Sequence, residues 1–127
     1  MIEIQVKDLF DGAAKMQEIM KKNLKSRPAF LLARIIREIE KEYETFQAAR
    51  KILVEKYGEK DESGNLYIDK DGNNRILKNE IDSFNRDMTD LLNTSVQLNV
   101  SSISLNDLEG VEFTPEQMLV LEPFIIE

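Results

Sequence analysis

The chain has 127 residues, which fits one domain spanning 1–127 with a hydrophobic core of its own. It contains neither Cys nor His, which excludes disulfides, thiolate zinc sites and the usual general base, so we expect a protein without catalysis or cofactor. The formal net charge of −7 argues against binding to duplex DNA or to an anionic membrane, because both require a dominant basic face.

A strand and a helix are predicted at the start of the chain. Ile2, Ile4 and Val6 alternate with polar residues, which is typical of a half-buried strand rather than of a signal peptide. Asp8 then provides a cap for a helix that continues to about Met20.

The strongest helical pattern runs from Arg27 to Tyr57, between the start signal Ser26-Arg27-Pro28 and the stop at Gly58. About thirty residues at 1.5 Å each make a helix of roughly 45 Å, longer than a compact domain of this size requires. We therefore expect either an antiparallel helix along its apolar stripe or a seam between copies of the chain. The stripe consists of Leu32, Ile39, Phe46 and Leu53.

The polar segment at about 61–77 contains Gly64 and Gly72, and we predict a charged β-hairpin there. Residues 69–80 also come close to an EF-hand calcium loop. The oxygen ligands of that loop would be Asp69, Asp71, Asn73 and Glu80. The hairpin is favoured because Asn74 replaces the usual glycine and a β-type run, not a helix, precedes the loop. A calcium-stabilised module is the alternative. We expect no internal repeat in the chain.

The remaining elements complete an α+β prediction. A third helix follows Asn79, a strand region covers Ser95–Leu105, and Thr114-Pro115-Glu116-Gln117 is a capping box that opens a short helix. A last short strand is predicted at Phe124-Ile125-Ile126. We expect a helical hairpin or three-helix layer, dominated by Arg27–Tyr57, packed on a small antiparallel sheet.

The net charge arises entirely near the C-terminus. Residues 87–127 contain eight acids and no Lys or Arg, whereas residues 1–86 contain sixteen acids and seventeen bases. This asymmetry predicts an acidic partner-binding face formed by Glu109, Glu112 and Glu116. In the alternative, bases within the same fold neutralise the acidic end. These are Lys21, Lys22, Lys25, Arg34 and Arg37.

Short motifs follow one another within about residues 25–100. They are Lys25-Ser26-Arg27, Lys56-Tyr57-Gly58, Asp61-Glu62-Ser63-Gly64, Asp71-Gly72 and Asp90-Leu91-Leu92-Asn93. In this order they resemble a group of small, mostly uncharacterised proteins encoded by phages and prophages of Gram-positive bacteria. The resemblance implies a viral protein, located in the host cytoplasm or in the virion, with no catalytic residues to carry over.

These observations together predict a function in binding. We expect an accessory or structural protein that interacts with a host or phage protein and forms a homo-oligomer. The alternative is an inhibitor of a host defence or metabolic protein, binding through the acidic C-terminal face.

Overall fold

The computed structural model describes residues 2–127, and within them the predicted α+β class is confirmed: four helices accompany two small pairs of strands. In chain order the elements are β1 (Ile2–Gln5), α1 (Val6–Met20), α2 (Ser26–Tyr57), α3 (Ile81–Leu92), β2 (Ser95–Leu98), β3 (Ile103–Ser104), α4 (Pro115–Leu121) and β4 (Ile125–Ile126). Short 3-10 turns lie at Lys78–Glu80, Leu105–Leu108 and Glu122–Phe124.

Contacts within the chain divide it into two compact units. Unit 1 comprises residues 2–43 and 94–127, and unit 2 comprises residues 44–93. The long helix α2 contributes its first part to unit 1 and its remainder to unit 2.

In unit 1, β1 pairs antiparallel with β2, as predicted, with Ile2 opposite Leu98. The helix α1 begins directly after β1, with Gln5 at its N-cap. The prediction that Asp8 caps this helix is therefore wrong. Val6 ends the strand pairing by donating its N–H to the Thr94 carbonyl at 2.9 Å, so Asp8 lies in the first turn, where a negative charge still complements the helix dipole.

The hydrophobic core lies in unit 1. Its buried members are Ile4, Leu9, Met16, Ile19, Leu32, Ile35, Ile36, Ile39, Leu98, Val100, Ile103, Leu108, Leu121 and Phe124. Helix α1 packs closely on α4 at Gly12, because a Cβ there would lie 3.0 Å from Cγ1 of Val120. The parallel pair β3–β4 fixes the C-terminal end, with Ile103 opposite Ile125.

Helix α4 begins with the capping box that the sequence predicts. The Thr114 hydroxyl accepts from the backbone N–H of Gln117 at 3.2 Å, and the Thr114 N–H donates to Oε1 of Gln117 at 3.0 Å. Pro115 occupies the first helical position, where a missing N–H costs no hydrogen bond. These contacts set where the helix starts and hence which of its side chains face outward.

Two tight turns in unit 2 have the same hydrogen bonds. Asp61 and Asn65 close the first turn, and Asp69 and Asn73 close the second, through N–H to carbonyl bonds of 2.7 and 2.9 Å. In each turn the aspartate Oδ1 accepts two backbone N–H groups within 3.0 Å. Each turn also contains a glycine at positive φ, 84° in the first and 81° in the second. This geometry is that of a type I turn followed by a left-handed glycine.

The repeated turns change the expectation that the chain has no internal repeat and add a second turn to the predicted hairpin. The pattern Asp-x-x-Gly-Asn-x-x-Ile occurs at residues 61–68 and again at 69–76, so the expectation of no internal repeat is wrong. Antiparallel bridges join Lys60 to Leu66 and Ile68 to Asn74, which confirms hairpin pairing in the predicted segment. The structure has two turns in this segment, whereas the sequence pattern predicts one.

A candidate protein-binding surface

Three adjoining clefts open around α4 on unit 1, with volumes of about 600, 580 and 530 Å³. Leu119 lines the first and the second cleft, whereas Leu105 and Met118 line the second and the third. The clefts therefore adjoin one another around α4 and share apolar lining side chains.

Carboxylates line all three clefts, and among residues 2–127 no Lys or Arg lines any of them. We refer to this surface as the acidic groove. Its apolar floor is defined by Leu105, Met118 and Leu119, and its carboxylates are Glu3, Asp8, Asp11, Glu109, Glu122 and Glu127.

The floor of the acidic groove is unusually exposed. Leu119 is 68% exposed and Leu105 is 42% exposed. Leu121 and Gln117 of the same short helix are buried, so the periodicity of α4 turns Leu119 outward. Exposed apolar side chains that form a contiguous patch with a polar rim are one mark of a binding surface.

The three predicted interaction acids are all exposed, but the structure gives them different positions. Glu109 lines the third cleft. Glu116 pairs with Lys15 at 3.4 Å, and the pKa of Lys15 is raised, first by the charge of Glu18 and then by Glu116. Glu112 forms no ion pair within residues 2–127.

Bases in the same fold neutralise only part of the acidic C-terminal end, and they are not the bases that the sequence predicts. Lys15 pairs with Glu116, and Arg27 pairs with Asp107 at 3.7 Å. The proposed bases Lys21, Lys22, Lys25, Arg34 and Arg37 make no ion pair with the acidic end across the described part of the chain. Two of them instead contact aromatic rings, with Lys22 at 5.5 Å from the centre of the Phe113 ring and Arg34 at 5.9 Å from that of Phe30.

The predicted stripe of α2 does not form one exposed seam. Leu32 and Ile39 are buried in the core of unit 1, with exposures of 2% and 6%. Phe46 and Leu53 are half-buried in unit 2. The first half of the stripe is therefore covered within the fold.

The residues of the possible calcium loop are used in a turn. Oδ1 of Asp69 accepts the N–H groups of Asp71 and Asn73, each at 2.9 Å, and Glu80 ends a separate 3-10 turn. No group of three or more acidic side chains within residues 2–127 is arranged to hold a metal ion.

Sequence reasoning missed the contribution of the N-terminus to the acidic groove. Glu3, Asp8 and Asp11 line the first cleft, although they are more than ninety positions before Leu119 in the chain. They reach it because β1 pairs with β2 and α1 packs against α4. No local pattern in the sequence signals this meeting of distant segments.

Comparisons of the chain with protein-family models, with curated proteins and with solved structures give no match. None of the helices within residues 2–127 has the length and apolar character needed to span a membrane.

Proposed function

We propose that the protein acts without catalysis, by binding a basic, amphipathic segment of another protein in the acidic groove. The observation that carries this proposal is that three adjoining clefts share exposed apolar side chains and are lined by six carboxylates and, within residues 2–127, by no Lys or Arg. A segment with apolar side chains on one face and Lys or Arg beside them is complementary to such a surface.

The two components of the acidic groove have different roles in this proposal. The apolar floor contributes affinity, because Leu119 and Leu105 lose contact with water when covered. The carboxylates attract and orient a basic partner, and this contribution weakens as salt increases.

The resemblance to phage proteins suggests which partner this is. We propose a host or phage protein, with this chain acting as an accessory or structural component of a virus. Inhibition of a host defence or metabolic protein is the second candidate, and it would use the same groove. Genomic neighbours distinguish them: virion genes support the first candidate, and an early or accessory locus supports the second.

The surface can be tested with a labelled amphipathic peptide built of Leu and Lys, with fluorescence polarisation as the readout. Leu119→Asp should weaken binding by about tenfold or more, because it places a charge on the apolar floor. Circular dichroism should show an unchanged fold, since Leu119 is exposed.

Two matched double variants distinguish binding at the acidic groove from a response to the net negative charge of the protein. The double substitution Glu109→Gln and Glu122→Gln removes two groove carboxylates, whereas Glu40→Gln and Glu44→Gln removes two exposed acids that line none of the three clefts and belong to no predicted binding face. Both change the net charge equally, so only the first pair should weaken binding and reduce its dependence on salt. Equal effects would mean that the peptide responds to net charge, and the proposed groove would then be wrong.

A further inference from the structure

The first cleft of the acidic groove reaches the hydrophobic core of unit 1. Among the residues that line it, Leu9, Met16 and Phe124 are each 2% exposed. The buried core cluster contributes one residue, Leu108, to the third cleft and none to the second. The first cleft therefore differs from the other two in having an apolar bottom formed mainly by core side chains.

One face of α1 forms a wall of this cleft. Leu9, Gly12 and Met16 are spaced three and four residues apart, which places them on one side of the helix. Gly12 adds no side chain to the wall, although α4 approaches so closely that a Cβ at this position would lie 3.0 Å from Cγ1 of Val120. The cleft volume of about 600 Å³ is within the range typical of ligand pockets, so a large side chain of a partner has room in it.

The rim of the first cleft offers hydrogen-bond acceptors. Its carboxylates, Glu3, Asp8 and Asp11, are exposed and form no ion pair within residues 2–127. Ionised carboxylates accept hydrogen bonds but cannot donate them. A group that fills this cleft must therefore bring an apolar body for the bottom and a donor for the rim, while an acidic group is repelled.

Tryptophan meets these requirements better than the other side chains. Its indole is a large apolar ring system, and the indole N–H donates a hydrogen bond without offering an acceptor. Leucine and phenylalanine have no donor, and the tyrosine hydroxyl also accepts. Arginine and lysine would bring a charge against the buried side chains at the bottom, which is costly.

We propose that the first cleft is an anchor pocket for a tryptophan side chain of the bound basic segment. The indole ring packs on Leu9, Met16 and Phe124, and its N–H donates to a carboxylate of the rim. Buried aromatic anchors of this kind supply much of the affinity of many protein interfaces. The inference rests on the proposed function of the acidic groove and adds to it the identity of the anchoring residue.

Tryptophan fluorescence provides the test, because the protein has no tryptophan and the signal comes from the peptide alone. In the peptide of Leu and Lys, one Leu at a time is replaced with Trp, Phe or Ala. At one position, the Trp peptide should bind at least about tenfold more tightly than the Ala peptide and about threefold more tightly than the Phe peptide. Its emission should shift to shorter wavelength on binding, because the indole leaves water.

The peptide series also distinguishes this inference from the proposed function. Equal affinities of the Trp and Ala peptides at every position, with the original peptide still bound and still sensitive to Leu119→Asp, would overturn the anchor pocket alone. No binding of any of these peptides would overturn both proposals.

Two variants with the same substitution test whether the indole enters the first cleft. Ser95 is exposed and lines this cleft, so the ring of Ser95→Phe should occupy it. In that variant the affinity for the Trp peptide should fall to about that for the Ala peptide, and the emission shift should be lost. Ser101→Phe is the matched control, because Ser101 is exposed in the same unit but lines none of the three clefts. A Trp preference that persists in Ser95→Phe, with the fold intact by circular dichroism, would place the indole elsewhere and overturn the proposal.

Two triple variants of equal charge test the hydrogen bond to the rim. The first removes the acids of the first cleft, Glu3→Ala, Asp8→Ala and Asp11→Ala. The second removes the acids of the other two clefts, Glu109→Ala, Glu122→Ala and Glu127→Ala. Only the first should abolish the preference for Trp over Phe, whereas both should weaken binding of all the basic peptides. A preference for Trp over Phe that survives loss of the rim acids would contradict donation of the indole N–H to the rim.

Discussion

Removing the Tyr57 hydroxyl tests how α3 is held against α2. Tyr57→Phe keeps the buried ring and its edge-to-face contact with Phe84, and it loses the 2.6 Å hydrogen bond to Asp87 together with the hydroxyl's interaction with the Lys56 side chain. Hydrogen bonds to charged groups contribute about 1.5–3 kcal/mol to stability. Because Asp87 is half-buried and partly hydrated, we expect a value near the lower end, about 1.5 kcal/mol. For a chain of this length that loss lowers Tm by roughly 5 °C.

Urea denaturation of a double-mutant cycle isolates this bond. Asp87→Ala should cost a similar amount in the wild type and much less in Tyr57→Phe, since the hydroxyl is then already absent. Tyr67→Phe is the matched control, because the Tyr67 hydroxyl forms no hydrogen bond within residues 2–127, and its removal should cost less than about 0.5 kcal/mol. Additive costs for Tyr57→Phe and Asp87→Ala would show that the two side chains do not interact.

Four further predictions concern Gly58, the two turn glycines, calcium and local stability. Gly58→Ala should lower the free energy of unfolding in urea by about 1–3 kcal/mol, because the alanine Cβ would lie 2.3 Å from the Val54 carbonyl oxygen. A neutral effect would contradict this close approach. Gly64→Ala and Gly72→Ala have open space but positive φ, so each should cost about 1 kcal/mol and their costs should add. Millimolar calcium should leave Tm unchanged; an upward shift that Glu80→Gln abolishes would restore the calcium-loop hypothesis. In hydrogen exchange, α3 amides should be less protected than α1 amides, because α3 has no buried residue whereas α1 contributes to the hydrophobic core; equal protection would contradict this difference.

Elements with local signals were predictable from the sequence. The boundaries of α2 agree with the prediction, because Ser26-Arg27-Pro28 and Gly58 are signals read within one helical turn. The capping box at Thr114 and Gln117 is confirmed for the same reason, since its two hydrogen bonds join residues three positions apart.

Features that depend on distant segments were not predictable. The start of α1 at Val6 depends on a hydrogen bond to Thr94, so the local cap signal at Asp8 was misleading. The first cleft of the acidic groove depends on the approach of α4 to α1, which Gly12 permits through its missing side chain. The repeat in the tandem turns went unpredicted for another reason. Its period of eight residues is visible in the sequence, but it is shorter than the periods of about 20 to 50 residues that usually identify repeat proteins.

The eight acids of residues 87–127 follow one another along the chain, but they lie in two different units. Asp87 and Asp90 lie on α3 in unit 2, which also contains a basic segment of α2. The other six acids lie in unit 1, where Asp107 and Glu116 have ion pairs and the remaining four have none within the described residues. The attraction of a basic partner that we propose therefore arises from the acids of unit 1. Substitutions in unit 1 can accordingly test the groove without altering the charges of unit 2.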